Sequence, residues 1–257
     1  MTATLTHARL LSGRSLRTLS RQPAYLLFTL VQPMVWLLLF GQLFRRVAEL
    51  PGFGGNYLDY LTPGVVVMTA MMSAGWSGTS IVQDMERGVM DRTLTSPIRR
   101  SALVTAGLAH QALVTVVQSL IMFATGLLAG ARYPGGARGL LVVLVCAVLV
   151  ALIFAGLSNA VALLVHQQEA LIAVAQFLVL PLAFLSSVMM APALMPGWVA
   201  RAARFNPVDW AAVASREALR ADPDWGLVLD RTALLAALAI LMAWLAGRAY
   251  RVHQRSL

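Results

Sequence analysis

Charged side chains concentrate in one short segment, QDMERGVMDRTLTSPIRR, which covers residues 83–100. It stands between two strongly apolar stretches of a chain that is otherwise poor in charge. Its acids, with the arginine and glycine between them, are Asp84, Glu86, Arg87, Gly88 and Asp91. Charges of both signs on an exposed segment suit the recognition of another protein. The alternative is a solvated loop without a partner, and the choice depends on the solvent on either side of the segment.

Catalytic and metal-binding patterns find little support elsewhere in the sequence. The histidines lie on separated segments and form no zinc-binding pattern. No pair of carboxylates falls within an apolar stretch, which disfavours a proton relay. The chain contains no lysine, so it lacks the phosphate-binding P-loop. We therefore expect no catalytic residue, metal or cofactor in this chain. If ATP drives it, a separate ATPase must bind the nucleotide.

The composition is that of an integral membrane protein. Hydrophobic residues make up 59% of the 257 positions and charged residues only 12%, whereas charged residues are about a quarter of an ordinary soluble domain. A helix needs roughly 20 apolar residues to cross a hydrocarbon core. Segments that reach or approach this length are residues 24–44, 60–82, 102–130, 139–165, 170–190 and 232–247. The sequence predicts an all-α integral membrane fold with six transmembrane helices, in a single domain over residues 1–257.

A basic amphipathic helix is predicted before the first span, over residues 4–21. At about 100° per residue, apolar side chains fall on one face and arginines on the opposite face. The apolar face comprises Leu5, Ala8, Leu16 and Leu19, and the basic face Arg14, Arg17 and Arg21. Such a helix lies at the surface of a membrane that contains anionic lipid. The alternative is a disordered basic tail.

The distribution of arginine favours an orientation with both termini in the cytoplasm. In that orientation 11 arginines lie inside and 9 outside. Four of the nine outer arginines fall in the long segment 191–230, whose charge has little influence on insertion. The charged segment, taken as residues 83–101, is then cytoplasmic. The outer segment should form short helices over residues 199–205 and 208–219, and Pro181 should kink the fifth span.

Polar and aromatic side chains inside the predicted spans are candidates for a substrate path. They are Gln32, Trp36, Trp76, Gln118, Asn159 and Gln176. Hydrogen bonding between helices is the favoured explanation for the polar ones, because lipid offers them no partner. Gln32 beside Trp36, and the small-residue run around Trp76, are the better candidates for a path. Gly75 and Gly78 in that run favour close packing of helices.

The charged segment resembles the cytoplasmic segment that follows the second span in type 2 ABC exporter permeases. In that family it typically reads Glu, Arg or Glu, a spacer, Gly-Thr, a spacer, Glu, leucines, then Ser-Pro-Val and a basic residue. The matching residues here are Glu86, Arg87, Gly88, Asp91, Leu94, Ser96, Pro97 and Arg99. This chain departs at Val89, where the family has threonine, and at Asp91, where it has glutamate. The interfacial helix and six-span layout agree with the family, as do Phe205, Asn206, Pro207 and Arg220 before the last span.

The resemblance implies that this chain is the permease subunit of an ATP-driven exporter in the cytoplasmic membrane of a bacterium. In the family, the charged segment is a coupling helix that docks on the ATPase. By resemblance, the residues that face the ATPase are Asp84, Glu86, Arg87, Gly88 and Asp91. The tight turn between the fourth and fifth spans would add Gln168 and Glu169.

The partners implied by this resemblance are two ABC ATPase subunits, which bind ATP and Mg²⁺, a second permease, identical or homologous, and membrane lipids. No nucleic acid is expected. The SPIRRSALV stretch is most similar to drug and antibiotic resistance exporters, so hydrophobic drugs, antibiotics or lipid-like compounds are the expected substrates.

Three alternatives remain open. Permeases that export a lipid-linked glycan or polysaccharide share this layout, although aromatic rings that could hold sugars are few in the spans. A membrane-embedded enzyme such as a phosphotransferase would need acids and histidines grouped at one membrane face, and the sequence has no such group. A structural or regulatory membrane protein has no need of an ATPase, so a neighbouring reading frame that encodes a P-loop ATPase would argue against it.

The predicted orientation can be tested with a single cysteine in a Cys146→Ala background. A cysteine placed at Ser96 lies in the segment expected to be cytoplasmic. A membrane-impermeant thiol reagent should therefore label Ser96→Cys only after the inner face has been exposed. Labelling from outside on intact cells would mean that the topology is inverted.

Overall fold

The computed structural model describes residues 23–44, 56–86, 100–165 and 167–253, and the regular structure in these ranges is helical. The α-helices are α1 (Pro23–Leu43), α2 (Tyr57–Gly75), α3 (Thr79–Glu86), α4 (Arg100–Leu128), α5 (Gly136–Val165), α6 (Gln168–Phe184), α7 (Gly197–Ala203), α8 (Pro207–Ala218) and α9 (Trp225–His253). A short 3₁₀ helix covers Pro192–Leu194. The predicted interfacial helix and residues 87–99 of the charged segment lie outside the described residues.

Several of these helices have the length and composition of membrane spans. The longest apolar stretches are Tyr57–Gln83, Thr105–Leu128, Gly136–Val165 and Trp225–Arg248, and shorter ones cover Thr29–Leu43 and Gln168–Phe184. The all-α, multi-pass membrane fold predicted from hydropathy is therefore confirmed. Two short helices, α7 and α8, stand between the fifth and sixth apolar helices, within two residues of their predicted positions.

The second predicted span agrees to within three residues with the apolar stretch Tyr57–Gln83 but is not one continuous helix, and the fifth predicted span has the wrong end. Hydropathy predicts one span over residues 60–82, but the helix is interrupted between α2 and α3. The fifth is predicted over residues 170–190, but α6 ends at Phe184, in the turn that contains Pro181. The N–H of Leu185 donates to the carbonyl of Pro181 (2.8 Å), and the chain then leaves the helix. Pro181 therefore lies in the last turn of α6, close to where the helix stops.

The sixth span is longer than predicted. Hydropathy makes it the shortest, over residues 232–247, whereas α9 is 29 residues long and begins at Trp225. Asp224 starts the helix, because its Oδ1 accepts the N–H of Gly226 at 2.9 Å. The average hydropathy of these first turns is low because they contain charged residues such as Asp230, which is exposed. The capping side chain, and not hydropathy, marks where this helix begins.

Helix α5 forms the centre of the bundle and packs against α2, α4, α8 and α9. Its inaccessible face consists of small or branched side chains, namely Val143, Cys146, Ala147, Val150 and Ala151. Small residues let helix backbones approach closely in a membrane protein. At Gly139 a Cβ would lie only 2.4 Å from the carbonyl oxygen of Ala218, so α5 touches the end of α8 almost directly.

The chain that follows α6 is held by a clamp formed by Asp209 and Arg216 of α8. Ser187 lies between them: its N–H donates to Asp209 Oδ1 (2.7 Å), and its hydroxyl and carbonyl oxygens accept from Arg216 (3.1 and 2.7 Å). Arg216 also donates to the carbonyls of Val188 (2.7 Å) and Tyr60 (3.0 Å). Its guanidinium carbon lies 3.7 Å from the centre of the Tyr60 ring. The clamp therefore joins α2, α8 and the non-helical chain after α6.

Further hydrogen bonds hold the end of α6 and the non-helical chain that follows it. Asn206 Nδ2 donates to the carbonyls of Leu182 (2.7 Å) and Leu185 (2.8 Å), and its Oδ1 caps the first turn of α8. The hydroxyl of Tyr57 donates to the carbonyl of Met189 (2.8 Å). Lipid cannot satisfy main-chain groups that leave a helix, so side chains must do so. Burial lowers the pKa of Arg216 while Tyr60 and Asp209 oppose that shift, and arginine stays protonated in proteins.

We expect Arg216→Ala to destabilise the fold strongly, whereas Arg220→Ala should leave it nearly unchanged. The first change removes a donor from the carbonyls of Tyr60, Ser187 and Val188, of which the Ser187 carbonyl keeps the Tyr60 hydroxyl. Each buried group left unpaired costs about 1–3 kcal/mol. The side chain of Arg220, two residues beyond the end of α8, is 68% exposed and pairs with Glu217 at 2.9 Å. Exposed pairs of this type are worth roughly 0–1 kcal/mol. Thermal unfolding of both purified variants in the same detergent measures the difference. Equal stability of the two variants would contradict the role assigned to the clamp.

Candidate functional site

A cleft of about 680 Å³ lies between α1, α2 and α6. It is lined by α6 from Gln168 in the first turn to Phe184 at the end of the helix, which spans roughly 24 Å at 1.5 Å per residue. Met189, in the clamped chain after α6, lines it as well. The cleft therefore follows the direction of the apolar helices over most of the length of α6.

Four of the side chains predicted for a substrate path meet in this cleft. Gln32 and Trp36 come from α1, Trp76 from the turn between α2 and α3, and Gln176 from α6. The Trp36 ring packs edge-on against Phe40, with 5.6 Å between ring centres, which restricts its orientation. These residues come from three separate stretches of the sequence, and the fold brings them to one surface.

Gln118 and Asn159 do not line the cleft. Gln118 is 1% exposed and lies behind the cleft wall, where its Nε2 donates to Thr29 Oγ1 at 3.3 Å. Asn159 Oδ1 accepts the hydroxyl of Ser77 at 3.3 Å, a contact between α5 and the turn after α2. Both side chains make the helix-to-helix hydrogen bonds that were the alternative to a substrate path.

The cleft is uncharged but not purely apolar. Among its described lining residues none carries a formal charge, and they combine amides, hydroxyls, methionines and the indoles of Trp36 and Trp76. Rings of this kind offer flat faces to planar or amphipathic molecules, and amides offer hydrogen bonds in either direction. Within the described ranges no three His, Cys, Asp or Glu side chains come together as a metal site requires. The arrangement suits non-covalent binding of a partly apolar molecule.

The two elements predicted to face a partner protein are packed together at one end of the cleft. Glu86, in the last turn of α3, and Glu169, in the first turn of α6, are both exposed. Between them, Val82 of α3 and Leu171 of α6 belong to one buried cluster. Gln168, predicted as part of the same partner contact, lines the cleft instead of standing apart from it. The exposed Glu86 and Glu169 therefore lie on two helices that pack together and that both line the cleft.

The remaining predicted contact residues lie outside what the structure describes. They are the side chain of Asp84 together with Arg87, Gly88 and Asp91. Residues 83–86 continue α3, so the charged segment begins as a helix in direct extension of the cleft wall.

Sequence reasoning missed several residues that the structure places in the cleft or in the clamp. Met72 and Ser73 line the cleft with Trp76, and their spacing of three and four residues from it places them on the same helical face. That spacing was a usable signal. Asp209 and Arg216 are seven residues apart on α8, which also puts them on one face, but their shared partner could not be identified from the sequence.

Comparison with known proteins identifies the family. A sequence profile described as "ABC-2 type transporter" matches residues 6–219. The chain is 32% identical to the daunorubicin resistance ABC transporter permease protein DrrB1 of Streptomyces coeruleorubidus, over 98% of this chain and 87% of that protein. It is 28% identical to the putative transport permease ycf38 of Cyanophora paradoxa, over 75% of this chain and 67% of that protein. A ycf38 protein of Porphyra purpurea is also 28% identical, over 80% and 70% of the two chains. The chain belongs to the ABC-2 type transporter family and is a multi-pass membrane permease.

Proposed function

We propose that the chain is the transmembrane subunit of an ATP-driven exporter that carries hydrophobic drugs, antibiotics or lipid-like compounds through the cleft between α1, α2 and α6. The observation that carries this proposal is the cleft itself, which is uncharged, contains two indoles and three glutamines, and follows the apolar helices. A charged or strongly hydrated substrate would find no ion pair among its described lining residues. The relative from Streptomyces, named for daunorubicin resistance, points to the same substrate class.

The working unit is two permeases with two ABC ATPase subunits, which bind ATP and Mg²⁺. The second permease is identical or homologous, and the complex sits in a bacterial cytoplasmic membrane with both termini of each permease in the cytoplasm. Support for the ATPase contact comes from the exposed Glu86 and Glu169, which stand at one end of the cleft on helices that pack together. Residues 83–101 form the larger contact, including Asp84, Arg87, Gly88 and Asp91. The turn with Gln168 and Glu169 forms the smaller one.

Export follows from movement of these contacts. Closure of the ATPases around ATP pushes the coupling segment, and α3 and α6 move with it because they are packed together. Since both helices line the cleft, their movement changes which side of the membrane the cleft opens to. The cleft binds the substrate, and the energy comes from the partner subunits.

One observation favours a second candidate, export of a lipid-linked glycan or polysaccharide. Trp36, Trp76 and Phe184 all line one cleft, and aromatic faces of this kind also stack on sugar rings. Few rings were apparent along the spans in the sequence, but the fold brings these three together. Competition between daunorubicin and a lipid-linked glycan for stimulation of the ATPase by the assembled complex separates the two candidates.

Charge reversal tests the coupling contact. Exposed pairs are worth only about 0–1 kcal/mol each, so Glu86→Arg or Asp91→Arg alone should reduce export partially and the double change much more. The permease should still insert, because neither residue lies within an apolar span. The measurement is daunorubicin export, and ATPase activity stimulated by daunorubicin, in proteoliposomes that contain the full complex.

A suitable control for the charge reversal is Asp222→Arg, because Asp222 is exposed on the segment between α8 and α9. Asp59, in the first turn of α2, also lies on the outer side in the proposed orientation, but it is unsuitable as a control. Its Oδ1 accepts the N–H of Arg132 at 2.7 Å, so a change there would disturb the fold. A matching reversal on the ATPase should restore some export, and the permease alone should show only background ATPase activity. If the double variant assembles and exports at the normal rate, residues 83–101 are a solvated loop and not a coupling contact.

Removal of an indole tests the cleft. Trp76→Ala should raise the apparent KM for daunorubicin export roughly threefold to tenfold, since an aromatic contact is worth about 0.5–1.5 kcal/mol. Trp198→Ala is the matched control, because Trp198 is 62% exposed on α7 and does not line the cleft. If both variants export with the wild-type KM, Trp76 does not contact the substrate.

A further inference from the structure

The helix that lines the cleft is interrupted at residues 76–78. α2 ends at Gly75 and α3 begins at Thr79. The N–H of Thr79 donates to the carbonyl of Trp76 (3.1 Å) instead of to that of Gly75, where a continuous α-helix would direct it. Pro63 is far from this point, so proline is not the cause of the interruption.

Ser158 of α5 fills the interruption. Its hydroxyl donates to the carbonyl of Gly75 (2.7 Å) and accepts the N–H of Gly78 (3.0 Å), so one side chain satisfies an acceptor and a donor that the helix leaves open. Ser158 is 6% exposed. A Cβ on Gly78 would lie 2.5 Å from the carbonyl oxygen of Ser158, so this approach of α5 requires glycine. Next to it, Ser77 donates to Asn159, which adds a second link to α5.

The interruption also coincides with the boundary between two hydrophobic clusters. Ala74, at the end of α2, belongs to the main core, whereas Ile81 and Val82 of α3 pack with Leu171 of α6 in a second cluster. Helix α5 contributes to both clusters, on either side of Ser158. The turn at residues 76–78 therefore connects two stretches of chain whose buried side chains belong to different hydrophobic clusters.

The turn at residues 76–78, which we call the joint, lies between the exposed Glu86 and the cleft. Trp76 and Thr79 line the cleft, and Glu86 follows seven residues later, roughly 10 Å along the helix at 1.5 Å per residue. Because α2 is fixed in the main core, a displacement of α3 reaches the cleft wall at this turn.

We propose that Ser158 is the positioning residue of this joint, and that its hydroxyl holds the interrupted helix in the geometry through which movement of the coupling segment reaches Trp76 and Thr79. The inference rests on the proposed function, since it concerns how ATP-driven movement is transmitted. Ser158 contacts no substrate and acts through the backbone on either side of the turn. Without its hydroxyl, Gly75 and Gly78 lose their partner while Ile81 and Val82 keep α3 in place, so the turn loosens.

Two pairs of variants test the role of Ser158. Ser158→Ala removes both hydrogen bonds, and Thr125→Val is its control, because Thr125 Oγ1 donates to the carbonyl of Ile121 (2.9 Å) inside the continuous helix α4. Gly78→Ala pushes the turn away from α5. Its control is Gly75→Ala, whose Cβ would lie at an ordinary 3.4 Å from Val179 Cγ2.

The first readout is hydrogen exchange of the full chain in lipid nanodiscs, which needs neither ATP nor a substrate. Amides of residues 76–80 should exchange roughly tenfold faster in Ser158→Ala and Gly78→Ala, because a hydrogen bond that closes the turn is lost. Both controls should exchange as wild type does. Unchanged or slower exchange in Ser158→Ala would mean that the turn does not depend on the hydroxyl, which overturns the inference.

The second readout is the number of daunorubicin molecules exported per ATP hydrolysed by the full complex. Ser158→Ala and Gly78→Ala should assemble and keep their basal ATPase activity, while export per ATP falls at least fivefold; a merely structural role would lower assembly and both activities together. Normal export per ATP in a variant with a loosened turn also overturns the inference. A wild-type complex that exports no daunorubicin with ATP would count against the proposed function, and the wild-type sample alone reveals it.

Discussion

The hydrogen bonds between Arg216 and the chain after α6 are the interaction on which the rest of the structure depends. A main chain that leaves its helix among apolar spans must find hydrogen-bond partners within the protein, because lipid supplies none. Here one guanidinium serves the carbonyls of Tyr60, Ser187 and Val188 at 2.7–3.0 Å, while Asp209 takes the N–H of Ser187. The arrangement ties the end of α6 to α2 and to α8. Together with the hydroxyls of Tyr57 and Tyr60, which donate to the carbonyls of Met189 and Ser187 at 2.8 Å, it sets the spacing of α2 and α6 on either side of the cleft.

The same principle applies at the other interruption, where Ser158 serves Gly75 and Gly78. One interruption follows α6 and the other follows α2, and both border the cleft through Met189 and Trp76. Each is held by hydrogen bonds from polar side chains of neighbouring helices. The permease therefore combines long apolar helices, which suit a membrane, with two hydrogen-bonded interruptions that border the cleft.

Hydropathy predicted the helical membrane fold because burial in lipid selects apolar residues over the whole length of a span. It failed to predict helix ends that depend on single side chains. Asp224 starts α9 before the predicted residue 232, and α6 ends before the predicted residue 190, where Arg216 bonds to the chain that follows. Gln118 and Gln176 look alike in the sequence, since both are amides in an apolar stretch. The rotation of each helix about its own axis determines that Gln118 lies behind the cleft wall and that Gln176 lines the cleft. The interfacial helix over residues 4–21 and the coupling role of Glu86 and Asp91 stay predictions.

The central claim is that the cleft changes the side to which it opens when the ATPases bind ATP. A cysteine at Met72, which lines the cleft, can report this in a Cys146→Ala background, in the full complex in membrane vesicles. The account predicts that an impermeant thiol reagent labels Met72→Cys from the cytoplasmic side without nucleotide, and from the opposite side once ATP is trapped. Labelling from the same side, at the same rate, with and without ATP would contradict it.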